Sequence, residues 1–499
     1  MESDWSSSLD IFLGLDPANG LGRGIERALR DAIRAGRLRP GTVIPSSRSL
    51  ARDLGVARGT VTAAYGQLAA EGYLSARQGA AVRVAWAPVR PSPPSPMPAP
   101  PSQDSGPAWD FRPGRPDSAS FPRLTWAQAQ RRALMRAPDR VFDYGDGRGD
   151  AGLRRALADY LGRARGVDTG PDRLLICNGF TEALALICYV LRASGAATLA
   201  VEDPSAPRYR QLAATLGLDV VCVPCDRDGL SAEHLARSNA DAVLVTPAHQ
   251  YPLGMTMSPA RRTALVEWAR RHDTLIIEDD YDGEFRYDRQ PTGALQQLDP
   301  GRVIYVGTAS KTLAPALRLG WLSAPPAVGE AVAAVKQQLD RGAGVLDQLA
   351  LAELIASRAF DRHVRRMRAS YRRRRDELAR ALADIGRPEG PGRTAGPGRP
   401  PLRLAGTSAG LHALIYLPGG GPTEAGLLAR AARHSVAFDT LASYRHMPRD
   451  TPGRPDQPGR AEPGPPAPQA IIVGYGTPAG HAFRPALRAL TRLLAEPPQ

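Results

Sequence analysis

The chain has 499 residues, more than one hydrophobic core normally organises, so at least two domains are expected. Its hydrophobic content of 43% is that of a soluble globular protein, and no apolar run approaches the ~20 residues of a membrane span. The acidic start MESDWSSSLD lacks the features of a secretory signal, which points to the cytoplasm, and a formal charge of +14 admits nucleic acid as a partner without establishing one.

That charge is uneven. Residues 21–86 hold eleven arginines against four acids, after a start marked by Glu2, Asp4, Asp10 and Asp16. GIERALRDAIRAGRL puts Ile25, Leu29 and Ile33 on one helical face and stops before Pro40 and Gly41. PSSRSLARDLGV reads as a short helix capped by Ser46 or Ser47. After Gly55, ARGTVTAAYGQLAAEGYL reads as a further helix with Val61, Tyr65 and Leu68 inward. Two short helices around a tight turn make a helix-turn-helix, and the alternating LSARQGAAVRVA, with Gly79, suggests a two-stranded wing. Arg58, Thr60 and Thr62 then face away from the apolar stripe, toward a DNA major groove. Ser47 and Arg48 at a helix N-terminus suit phosphates, and Arg77 and Arg83 on the wing could add phosphate or minor-groove contacts. The blander reading is a small basic helical domain that docks on protein.

Residues 87–107 contain nine prolines and no apolar periodicity, which predicts an extended linker reaching roughly 60 Å. The expected domains are therefore 1–86, DNA-binding, and 108–499.

In the second domain, strand-like runs alternate with helical ones: RLLICNG, TEALALICYVLRA, ATLAVED, DAVLVTP, RTALVEWARRH, TLIIEDDYD, RVIYVGTASK. Such alternation predicts an α/β domain with a mostly parallel sheet. A long arginine-rich helix follows His363, and Pro/Gly-rich insertions are expected at about 387–401 and 448–468. Cys222 and Cys225 form a C-x-x-C without a second Cys/His pair, so they read as buried structural thiols and no metal-ligand set is assigned.

Only two of the 64 basic residues are lysines. Lys336, in AVAAVKQQLD, reads as an ordinary surface residue. Lys311, in YVGTASKTLAPALRLGW, follows an apolar strand at a small-residue turn. A lysine amine, unlike a guanidinium, can lose its proton when desolvated and attack a carbonyl. Three further segments complete a site for pyridoxal 5′-phosphate (PLP). Asp279 and Tyr281 end a buried strand two residues apart, suited to the pyridine nitrogen and the ring oxygen. Phe180 and Thr181 open a helix after the turn CNG, where backbone N–H groups can cradle a phosphate. Thr308, Ser310 and Arg318 add donors to that phosphate. Each signal alone is weak, since acidic strand ends and small-residue turns are commonly just solvated turns and caps. Their order and spacing make the case.

The run from LRDAIRAG to AAEGYL resembles the winged helix-turn-helix of GntR-type bacterial regulators. The phrases FDYGDGRGDAGLRRALADYL, VTPAHQYPLGMTMSPARRTALVEWAR, IIEDDYDGEFRYD and YVGTASKTLAPALRLGW resemble the MocR subgroup, in which that domain is fused to a fold-type I aminotransferase-like domain. The resemblance implies PLP held as a Schiff base on Lys311 and a double-stranded DNA operator. It also implies a head-to-tail homodimer, in which Tyr144 reaches the partner's phosphate site, and a response to PLP or an amino ligand. The chain departs from the family at three places. Ala206 stands where an aromatic ring covers the cofactor, leaving Tyr209 or another ring to stack. Tyr251 occupies an asparagine slot, with His249 and Gln250 as substitutes. APQA precedes IIVGYG where a carboxylate-binding arginine is usual; Arg460 lies in an insertion, and Arg208 is the substitute. Two other readings are an active aminotransferase with an accessory DNA-binding domain and a cofactor-free dimerisation scaffold.

Overall fold

The computed structural model describes residues 21–75, 80–86, 106–288, 292–385, 402–446 and 468–496. The chain divides into two compact units, residues 1–105 and 106–499. Arg77, Gly79, Arg460, nearly all of the 87–107 stretch and the two expected insertions (Pro468 apart) lie outside the described residues.

The small unit has three helices, α1 (Leu21–Arg34), α2 (Ser47–Asp53) and α3 (Arg58–Ala70), and a ribbon of β1 (Leu74–Ser75) and β2 (Arg83–Val84). Ile25, Leu29 and Ile33 of α1 meet Val61, Tyr65 and Leu68 of α3 in one buried cluster. Ser46 caps α2, its hydroxyl accepting from Ser49 N at 3.1 Å. β1 and β2 pair antiparallel, with Leu74 opposite Val84.

The large unit runs through β3 (Trp109–Asp110), α4 (Arg123–Arg136), α5 (Ala151–Arg165), β4 (Leu174–Cys177), α6 (Phe180–Ala193), β5 (Thr198–Asp203), α7 (Pro207–Thr215), β6 (Asp219–Asp226), β7 (Gly229–Leu230), α8 (Ala232–Ala236) and β8 (Ala242–Val245). It continues with α9 (Pro259–His272), β9 (Leu275–Asp280), β10 (Val303–Thr308), β11 (Gly320–Ser323), α10 (Pro326–Leu339), α11 (Val345–Ala356) and α12 (Ala359–Asp384). The C-terminal part holds β12 (Leu404–Ala405), β13 (Ala413–Tyr416), α13 (Glu424–Arg433), β14 (Val436–Ala437), β15 (Asp439–Thr440), β16 (Ala470–Val473) and α14 (Phe483–Ala495).

Eight strands form the main sheet in the order β4-β11-β10-β9-β8-β5-β6-β7. The pairs from β10 across to β6 are parallel, whereas β11 runs antiparallel to both neighbours. Alternate strand residues feed opposite cores. Tyr305 and Ile176 pack with α5 and α11, and Ile304 and Val306 pack with α6 and α10. With both faces covered, ligands are left the crevice beyond the carboxyl ends of the strands. A smaller antiparallel sheet, β12-β13-β16-β15, packs against α12, α13 and α14.

One expectation is overturned here. Lys336 is fully buried, its amine between Glu182 at 3.0 Å and Asp340 at 2.8 Å. It lies one turn beyond the buried Val332 of α10, so the helix period carries it onto the face packed against α6. Cys222 and Cys225 are half-buried free thiols rather than fully buried ones, and burial pushes both pKa values up, Cys222 to about 11.

Candidate functional site

A cavity of about 350 Å³ opens at the carboxyl ends of β4, β9 and β10. Phe180, Thr181, Arg208, Tyr251, Asp279, Tyr281, Thr308, Ser310, Lys311 and Arg318 all line it. The lining also includes Tyr209, and it includes Gly114, Arg115 and Ser118, which the sequence reading did not single out.

Lys311 is half-buried one turn after β10, and its Nζ donates to Gly114 O at 2.6 Å. Burial, then the neighbouring Arg208 cation, lowers its pKa to about 8, against the pull of Asp279 and Asp282. Opposite it, Asp279 is buried at 2% exposure and its Oδ1 has no hydrogen-bond partner. Burial raises this carboxyl to about 8, while the charges of Lys311 and Arg208 act to lower it. An unpaired buried oxygen facing a cavity is costly unless a donor arrives. The Tyr281 hydroxyl donates to His249 O at 3.0 Å and lies 3.0 Å from His249 Nδ1, which is itself 2.9 Å from Asp282 Oδ2.

At the other end, the β4–α6 turn presents the first N–H groups of α6. Gly179 stands at φ +85°, where a side chain would be strained, and a Cβ there would lie 3.2 Å from the Arg318 guanidinium. Close approach lets Arg318 Nη2 donate to Asn178 O. Glu182 holds the same turn, accepting from Asn178 N at 2.6 Å and Asn178 Nδ2 at 3.0 Å, and Lys336 holds Glu182. The Thr308 hydroxyl donates to Ser310 Oγ at 3.0 Å and accepts from Ser310 N at 3.1 Å.

A PLP molecule fits these residues. The orphaned Asp279 Oδ1 answers a protonated ring nitrogen, the α6 N-terminus with Thr308, Ser310 and Arg318 answers a phosphate, and Lys311 answers an aldehyde.

Several candidates fall elsewhere. His249 and Gln250 lie one layer behind the cavity wall. Gln250 Nε2 is shared between Glu202 and the Pro204 carbonyl, and its Oε1 accepts from Leu253 N. The strand alternation that turns Asp279 and Tyr281 to the cavity aims Asp282 at His249 instead. His249, Asp282 and His412 bring potential ligand atoms within 4.8 Å of one another, a set the sequence reading did not assemble. Tyr144 is exposed, its ring 4.7 Å from the Arg341 guanidinium carbon, and does not line its own chain's cavity. Tyr209 packs 4.8 Å from the Phe180 ring at the wall, while Ala206 is buried. Tyr251 reaches Tyr444 hydroxyl to hydroxyl at 3.0 Å, and Tyr444 donates to Asp439 at 2.6 Å.

In the small unit Arg58 and Thr62 are exposed on α3 and Thr60 is half-exposed. The Thr62 hydroxyl donates to Arg58 O at 3.0 Å, which leaves it free to accept. Ser47 and Arg48 open α2, and Arg83 Nη1 donates to Gly41 O at 3.0 Å.

Residues 21–84 match the family described as bacterial regulatory proteins of the gntR family, and residues 115–395 match aminotransferase class I and II. The chain is 36% identical over 382 residues to the probable rhizopine catabolism regulatory protein MocR of Rhizobium meliloti, covering 73% of this chain and 77% of that one. The chain belongs to the MocR subgroup of GntR regulators. Another MocR-type relative is the HTH-type pyridoxine biosynthesis transcriptional regulator PdxR of Corynebacterium glutamicum, 34% identical over 81% of this chain and 86% of that one. An archaeal alanine:glyoxylate aminotransferase matches with a TM-score of 0.65 at 24% identity, over 77% of this chain and 90% of that one, which shows the fold. MocR regulators thus join a DNA-binding unit to an aminotransferase-like one, and this chain is a regulator of that construction. Among its described residues no helix is long and apolar enough to cross a membrane.

Proposed function

We propose that this regulator holds PLP in the large unit and reads an amino ligand, or PLP itself, as the signal that changes its hold on a double-stranded operator. The observation that carries this is the meeting of a primary amine, Lys311, with the unpartnered Asp279 Oδ1 in one cavity of a chain that also carries a GntR helix-turn-helix. PLP supplies an aldehyde for an amine to condense with and a ring that withdraws electrons when its nitrogen is protonated.

The residues divide that work. Asp279 keeps the ring nitrogen protonated, and Tyr281, fixed by His249, faces the ring oxygen. Phe180 and Thr181 offer backbone donors to the phosphate, with Thr308, Ser310 and Arg318 beside them. Tyr209 takes the stacking place that Ala206 leaves empty. Arg208 and Tyr251 face the ligand. The lowered pKa of Lys311 makes its neutral, nucleophilic form accessible near physiological pH. Arg58, Thr60 and Thr62 enter the major groove, and Ser47, Arg48 and Arg77 contact phosphates. The domains are 1–86, a linker at 87–107 and 108–499. The protein works in the cytoplasm as a head-to-tail homodimer in which Tyr144 completes the partner's site. A ligand moves the DNA-binding units only through unequal affinity for two arrangements of the large unit.

Purified protein with added PLP is expected to develop a visible absorption band that Lys311→Ala abolishes without unfolding the chain. Absence of a band in the unaltered protein defeats the reading. Sustained transamination of common amino acids, with no change in operator binding, favours an enzyme instead. Arg58→Ala is expected to weaken binding to DNA upstream of its own gene by about 1–3 kcal/mol in a gel-shift titration.

A further inference from the structure

The cavity wall carries an excess of positive charge: Arg115, Arg208, Arg318 and Lys311 against one carboxylate, Asp279. Arg318 is engaged with the β4–α6 turn through Asn178 O. Arg208 has no carboxylate within ion-pair distance among the described residues. Its Nη2 donates to the Tyr209 hydroxyl at 3.0 Å, and its guanidinium carbon lies 4.8 Å from that ring. Arg115 has one acid nearby, Asp110 at 3.5 Å, and that carboxylate already accepts a two-pronged contact from Arg112 at 3.0 and 2.7 Å. Two guanidiniums on one cavity wall are therefore weakly matched by protein acids.

Arg115 is also held where a ligand would need it. Its segment is pinned at one end by Gly474 N donating to Phe111 O at 2.6 Å and at the other by Asp117 N donating to Tyr371 Oη at 2.9 Å. Between these pins, Gly114 O accepts from the Lys311 amine. The backbone is fixed beside the reacting lysine while the Arg115 side chain stays 58% exposed. Strand β16 offers no cation to the cavity, because Ile471, Ile472 and Val473 are fully buried in apolar clusters. Gln469, just before it, accepts from Glu424 N instead. A planar guanidinium presents paired donors that match a carboxylate's two oxygens.

We propose that Arg115, together with Arg208, binds the acid group of the effector, which is therefore an amino acid and not a simple amine. The ligand's amine meets the cofactor carbon at Lys311 while its acid group spans to the two arginines. This rests on the reading that PLP occupies the cavity.

The test uses the full chain loaded with PLP and follows the visible absorption and near-ultraviolet circular dichroism during titration. The probes are the common amino acids and β-alanine, each against a matched amine lacking the acid group, such as propylamine for β-alanine. At least one acid-bearing probe is expected to half-saturate at a concentration tenfold or more below its amine. Arg115→Gln should raise that concentration about tenfold, leave the amine's unchanged, and leave PLP affinity unchanged. The proposal is overturned if amino acids and amines act alike, if no amino acid produces a response, or if Arg115→Gln leaves the amino acid titration untouched or weakens both classes equally. If the unaltered chain forms no visible band with PLP, the cofactor reading falls and takes this proposal with it. A normal band without acid discrimination sinks this proposal alone.

Discussion

The two lysines occupy opposite kinds of surroundings. Lys336 is enclosed between two carboxylates, and these partners hold its pKa above the usual value despite burial. Lys311 has a backbone carbonyl as its direct partner and a guanidinium near enough to oppose its charge, so its pKa falls to about 8. One amine is locked into its charged form, and the other is held where the neutral form is accessible. The difference lies in neighbours rather than depth, since an opposite charge within a few ångströms offsets desolvation and a neutral acceptor does not. The locked amine also supports the other's site: Lys336 fixes Glu182, and Glu182 fixes the Asn178 turn ahead of α6.

That contrast can be broken at either end. The largest effect is expected from Lys336→Met, which leaves Glu182 and Asp340 facing each other without a cation. A loss of about 3 kcal/mol in the large unit follows, read as a lower thermal midpoint. Next, Asp279→Asn should raise the dissociation constant for PLP at least tenfold, the size of one charge-assisted hydrogen bond of about 1.5–3 kcal/mol, measured by fluorescence titration. Glu182→Gln should cost about 1 kcal/mol of stability and weaken PLP binding severalfold as the phosphate turn loosens; unchanged affinity would separate Lys336 from the cavity.

The smallest effect sharpens the contrast from the Lys311 side. Folding lowers this amine's pKa from 10.5 to about 8, so between those values the unfolded chain carries the extra proton. Stability of the cofactor-free chain should therefore rise with pH through that window. Lys311→Met should flatten the rise without lowering the thermal midpoint at pH 7, measured by melting at a series of pH values.

Much of this was legible in the sequence because the carriers are local. The Lys311 turn, the Asp279–Tyr281 pair and the CNG turn each announce a strand end within a few residues, and the small unit's helices follow from Ile25, Leu29, Val61 and Leu68 alone. What escaped needed contacts distant in the chain. Arg115 reads as part of a Pro-Gly turn until Gly114 is brought 197 positions along the chain to Lys311. Lys336 could have been caught, because Val332, Lys336 and Asp340 stand four apart and share a helix face, but its first acidic partner, Glu182, lies on another helix. His249 and Gln250 were placed by their neighbour Tyr251, yet alternate residues of an extended segment point to opposite sides. The antiparallel β11 is four residues long, too short for its direction to show in the pattern.

The large unit begins, close after the proline-rich stretch, with Trp109 and Asp110 laid alongside Val436 and Ala437. Four residues beyond Asp110 the same segment reaches the amine of Lys311. In mechanical terms this is a short tie rod, anchored at one end on the C-terminal part and resting at the other on the reactive lysine. When that amine lets go of Gly114 to do chemistry, the rod loses its inner support, and its outer end is the root from which the DNA-binding unit hangs.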